Sequence, residues 1–126
     1  MYIKVLLIFA SLNGALAVML GAFGAHALKS MLSPQALQTW HTAVQYHFVH
    51  VLALLAVGVL LKLSAVHVAG KIAGLAFMLG IILFCGSLYW LALGGPKILG
   101  PITPLGGLSF IVGWAGLTAL IILPSR

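Results

Sequence analysis

Along this chain, long apolar runs alternate with short stretches that hold single cations and turn-forming residues. Cutting at those stretches leaves four apolar segments, 4–28, 38–61, 71–93 and 104–123. Each is about as long as the roughly 20 residues a helix needs to cross a hydrocarbon core about 30 Å thick. Backbone groups in lipid must pair within their own segment, so each run is expected to be helical. Ser33 and Pro34 form a cap and first-turn pair, which moves the second start back. The expected helices are 4–28, 34–61, 70–93 and 104–123, in one four-helix transmembrane domain over residues 1–126. The stretch "GGPKILGPITPLGG", 94–107, has three prolines and five glycines. It is expected to form a compact cap or re-entrant piece, because proline interrupts a regular helix.

Composition sharpens the picture. Of 126 residues, 63% are hydrophobic and 5% are charged, and there is no Asp or Glu. Water-soluble domains carry about 25% charged residues, so the solvent this chain suits is a bilayer. Its six cations stand singly at the ends of apolar runs. They form no basic face of the kind that binds nucleic acid. Lys4, Lys62, Lys71 and Arg126 fall on one side of the expected topology, Lys29 and Lys97 on the other. The positive-inside rule then predicts cytoplasmic N and C termini, with the first and third connections outside. Lys4 before an apolar run, with "AHA" at 25–27, superficially matches a secretory signal. The uncharged run from Val5 to Leu28 is longer than the roughly 7–15 residues of a signal core, so the segment reads as a retained helix. Cys85 is the single cysteine, which excludes an intramolecular disulfide and leaves it to pack as a small hydrophobe.

Helices associate in lipid by close packing, so small residues mark contact faces. Ala10, Gly14, Ala17, Gly21 and Ala25 form one such stripe, and Gly106, Ser109, Gly113 and Gly116 another. Gly70, Gly74 and Gly80 form a less regular one in the third segment.

The chemistry concentrates in "TWHTAVQYHFVH" of the second segment. With Trp40 at the interface, His47 would lie about 10 Å deeper and His50 about 15 Å deeper, near the midplane. At 100° per residue, Ala43, Tyr46, His47 and His50 share one face, and Gln38, His41 and Gln45 share the opposite one. Polar side chains in lipid usually face the protein interior. One reading makes the histidines and Tyr46 interhelical hydrogen-bonding groups, with Asn13, Ser87 or backbone carbonyls as partners. The other makes them a binding site, for a small ligand, a lipid, a transition metal held by His26, His47 and His50, or a haem between histidines. The absence of carboxylates argues against hard cations such as calcium and magnesium. Proton relay or transport is a third reading. A protomer this small would need an oligomer to form a pore, and a homo-oligomer is expected. No nucleophile, base and orienting residue form a recognisable set, so a non-enzymatic role is expected.

The stretches "LGAFGAHALK", "WHTAVQYHFVHVLALL", "FCGSLYWLAL" and "ITPLGGLSFIVGW" closely resemble the domain of unknown function 423 family, also catalogued as UPF0382 and related to transmembrane protein 256. The resemblance covers nearly the whole chain. It implies a four-helix protein of the bacterial cytoplasmic (inner) membrane and supplies no catalytic residues. Projected on the expected topology, its motifs gather toward the outer side. The candidate ligand-binding residues are therefore His26, Asn13, Tyr46, His47, His50, Ser87, Tyr89 and Thr103, in an outward-opening polar pocket. A structural or assembly role beside an unidentified membrane partner is the alternative.

Overall fold

A computed structural model describes residues 1–64 and 68–124. Residues 65–67, within the second connection, and Arg126, counted above in the charge balance, lie outside the described residues. Four helices there are long and apolar enough to cross a membrane: α1 (Tyr2–Ala25), α2 (Pro34–Leu63), α3 (Val68–Ala92) and α4 (Leu99–Ile122). The fold class read from the sequence, an all-helical bundle with four spans, is what the chain adopts.

The helix ends follow from local chemistry. Ser33 accepts a hydrogen bond from the Ala36 amide through its side chain and Pro34 occupies the first turn, which starts α2 where the cap predicts. The first span ends at Ala25, short of Leu28, because the chain tightens into a 3₁₀ turn over Leu28–Ser30. That turn buries Leu28 against Trp40 and Ala92. The last span starts at Leu99, five residues before the expected position 104. Most of the proline-rich stretch is thus helix, and the cap expected over 94–107 shrinks to its first few residues. The reason is position: Pro101 falls in the first turn, where backbone N–H groups have no intrahelical partner, so proline costs nothing there. Pro104 alone removes a helical hydrogen bond. Gly94, at φ +90, makes the turn that leads out of α3.

Within the bundle, α1 packs on α2, α4 packs on α3, and α2 meets α3 between them. The glycine stripes lie at these contacts. Ala10 and Ala17 are fully buried, and Gly14 and Gly21 sit against Val51 and Val44 of α2. On α4, Gly106 lies against the Phe84 backbone, Gly113 against the Phe77 ring and Gly116 against Ala73. Ser109 donates to the Ala76 carbonyl at 2.6 Å. Along Ile81–Cys85, α3 widens into a π-helical turn, facing the Phe110 and Gly106 region of α4. Phe77, Phe110, Leu54, Val57 and Leu6 form the main core, and Cys85 joins it, buried and unpaired as expected.

A Cβ at Gly106 would collide with backbone, which cannot move aside, whereas at Gly100 it meets open space. Gly106→Ala is therefore expected to destabilise the bundle by about 1–3 kcal/mol, the usual range for overpacking, and Gly100→Ala to cost nothing. Unfolding in mixed detergent micelles would compare the two.

Candidate functional site

α2 carries the site because its period puts His47 and His50 on the buried face. His47 is 2% and His50 5% exposed. Gln38, His41 and Gln45 lie on exposed positions, as the helical angles require. Tyr46 departs from that expectation: it sits at the flank of the buried face and is 41% exposed. Trp40, expected at the interface, is buried inside the protein, where Gly24 makes room for its indole, and its Nε1–H donates to the Leu20 carbonyl at 2.9 Å.

The His47 ring joins three helices. Its Nε2 lies 2.9 Å from Asn13 Oδ1 on α1, and its Nδ1 lies 3.0 Å from the Tyr89 hydroxyl on α3. The donor roles follow from the fixed end of this chain. Asn13 Nδ2 donates to the Phe9 carbonyl at 3.0 Å, which turns its Oδ1 toward His47. An amide oxygen only accepts, so His47 carries its proton on Nε2, and its Nδ1 accepts from Tyr89 O–H. His50 takes the opposite tautomer. Trp114 Nε1–H, a donor only, reaches His50 Nε2 at 3.1 Å from α4, and His50 Nδ1 donates to the Tyr46 carbonyl at 2.7 Å. A third cluster joins α3 to α4: Ser87 Oγ and Thr103 Oγ1 are 2.6 Å apart, each also in reach of a carbonyl in its own helix, Phe84 and Leu99.

Aromatic rings surround His50. Phe110 stacks on it with centroids 3.6 Å apart and planes at 12°, and Tyr46 stacks at 5.8 Å and 14°. Trp114 meets it edge-on at 5.8 Å. The backbones of α2 and α4 stay apart, and this aromatic seam bridges them. It lines a groove of about 540 Å³ walled by Tyr46, Val49, His50, Phe84, Leu108, Phe110, Ile111 and Trp114. The groove's polar side chains are those of Tyr46, His50 and Trp114, and the Tyr46 hydroxyl makes no hydrogen bond to a described residue. A smaller groove of about 240 Å³ runs beside Asn13, His47 and Tyr89.

The candidate residues thus fall into three internal pairings: Asn13, His47 and Tyr89; Tyr46 and His50; Ser87 and Thr103. His26 joins none of them. It caps the end of α1, exposed, and the thirteen residues to Asn13 place it about 20 Å along the helix axis from the level of His47. Among the described residues no three His, Cys, Asp or Glu side chains converge to hold a metal ion. The set His26, His47 and His50 is therefore not assembled. The lone pairs that could ligate a metal or a haem, His47 Nδ1 and His50 Nε2, are used by Tyr89 and Trp114. Trp114, Phe110 and Phe84 are site residues the sequence reading missed. Phe110 and Trp114, four apart, share a helical face, and that spacing was the available signal.

Imidazole ¹⁵N shifts of the protein in lipid are expected to show His47 and His50 in opposite neutral tautomers, Nε2–H and Nδ1–H. The same tautomer at both positions, or a ring protonated on both nitrogens, would contradict the assignment.

Comparison with known proteins gives the chain relatives. The family model described as "Protein of unknown function (DUF423)" matches residues 20–107. UPF0382 membrane protein YwdK of Bacillus subtilis (strain 168) is 49% identical over 112 residues, 88% of this chain and 90% of the relative. UPF0382 membrane protein SSP2132 of Staphylococcus saprophyticus is 45% identical over 111 residues, 88% of this chain and 91% of the relative. UPF0382 membrane protein SERP0230 of Staphylococcus epidermidis is 44% identical, covering 88% of this chain and 89% of the relative. No solved structure matches.

Proposed function

The chain is a multi-pass membrane protein of the DUF423 family, and from that premise we propose that it binds a lipophilic ring compound taken laterally from the bilayer. The site is the aromatic groove between α2 and α4. In this reading the protein is non-enzymatic and lies in the bacterial cytoplasmic membrane with both termini inside. The histidines are frame, and the ligand meets the surfaces they hold in place.

One observation carries the reading. Tyr46, 41% exposed, lines a groove otherwise walled mainly by aromatic and aliphatic side chains, and its hydroxyl makes no hydrogen bond to a described residue. A hydroxyl in apolar surroundings costs free energy until an acceptor reaches it. A flat ring offers its faces to Phe84 and Phe110 in offset stacking, and a carbonyl on that ring accepts from Tyr46. In this reading the pocket lies on the Tyr46 and His50 side of α2, apart from His26 and His47. Its polar atoms there are already paired, apart from that hydroxyl.

A second reading, a structural subunit of a larger membrane assembly, rests on the complete pairing of buried polar groups. Among the described residues no buried side-chain nitrogen or oxygen lacks a hydrogen-bond partner. Such a core asks for no ligand.

The two separate in one titration. A prenylated naphthoquinone added to the purified protein in micelles is expected to quench Trp114 fluorescence saturably. Tyr46→Phe is expected to weaken that binding by about five- to twentyfold, the loss of one hydrogen bond of about 1–2 kcal/mol. Unsaturable quenching that is equal in both proteins would reject the binding reading and leave the structural one.

A further inference from the structure

At the amino-terminal end of the bundle, far from the aromatic seam, a second groove of about 640 Å³ runs along α1. Ile3, Leu7, Ile8 and Leu12 supply its apolar lining, and the exposed residues Lys4 and Lys62 line it as well. We propose that this groove holds one anionic phospholipid, its phosphate between the two lysines and an acyl chain along α1.

Charge complementarity selects the occupant. Lys4 lies near the start of α1 and Lys62 near the end of the antiparallel α2, so both reach the same membrane surface. Two ammonium groups lining one groove repel each other. The sequence contains no Asp or Glu, so no acidic side chain of this protein can neutralise them. A free anion would satisfy the lysines but leave the apolar lining uncovered. A zwitterionic lipid covers the lining but brings a cation of its own beside the lysines. A lipid with a net negative headgroup does both.

The dimensions agree. From Lys4 to Leu12 the helix rises about 12 Å, close to the roughly 15 Å of one leaflet's hydrocarbon. The lining therefore guides an acyl chain from the headgroup level most of the way to the midplane. Flexible lysine stems lie along such apolar surface while their charged ends stay at the headgroups. The Ser11 hydroxyl, also in the groove, donates to the Leu7 carbonyl of its own helix at 2.8 Å, so it adds no competing polar demand. The site shares no residue with the aromatic groove, so either assignment can fail without the other.

The test places a reporter in the lining. Leu12 is 66% exposed, and Leu12→Trp puts an indole beside the bound chain. The protein is reconstituted in phosphatidylcholine vesicles containing a small, equal fraction of either brominated phosphatidylglycerol or brominated phosphatidylcholine, with the parent protein as background. Brominated phosphatidylglycerol is expected to quench the added indole at a severalfold lower mole fraction. Adding Lys4→Gln or Lys62→Gln should reduce that preference about fivefold each, the effect of one cation at an anionic surface. Lys4→Arg with Lys62→Arg should retain it. Equal quenching by the two lipids, a preference that survives loss of both lysines, or reversal by inorganic phosphate would each overturn the proposal. The comparison of lipids with both lysines intact decides the question even if the glutamine variants do not fold.

Discussion

The structure depends on one constraint: a polar side chain in hydrocarbon has to find its partner inside the protein. Asn13, His47 and Tyr89 meet it with a directed chain of hydrogen bonds that starts at the tyrosine hydroxyl and ends on the Phe9 carbonyl. The chain crosses α3, α2 and α1, so those helices can slide or rotate only by breaking it. Apolar packing alone specifies register weakly in lipid, since acyl tails are as apolar as leucine. Here His50 with Trp114, Ser87 with Thr103, Ser109 with Ala76, and Tyr2 with Lys71 repeat the same solution at other contacts.

Glycine makes those hydrogen bonds reachable. Ser109 reaches the Ala76 carbonyl because Gly106, Gly113 and Gly116 bring α4 against α3. Where backbones do not touch, between α2 and α4, rings fill the gap and leave a groove. Close packing on three contacts and an aromatic seam on the fourth thus come from the same distribution of small and large side chains. The site proposed for a lipophilic ring is the place where that packing is incomplete.

Much of this was legible in the sequence, for physical reasons. Lipid forces every span to be a helix, so four apolar runs meant four helices. The 100° period put His47 and His50 inward, and of the two polar partners expected for them Asn13 meets His47, while Ser87 pairs with Thr103 on α4 instead. Three things were hidden. The register of α1 against α2 sets Asn13, not His26, level with His47, and register depends on tertiary packing. The start of α4 at Leu99 is hidden because a proline stops a helix in its interior but not in its first turn, where Pro101 falls. Trp114 escaped notice because its role arises only when α4 folds back beside α2.

The most direct test of the central claim is a double-mutant cycle on Asn13→Ala and His47→Ala, read as unfolding free energy in bicelles. The account predicts a coupling of about 0.6–1.7 kcal/mol, from the mean to the largest value found for hydrogen bonds between helices in lipid. Additivity within about 0.3 kcal/mol would contradict it, because the two side chains would then be contributing to the bundle independently.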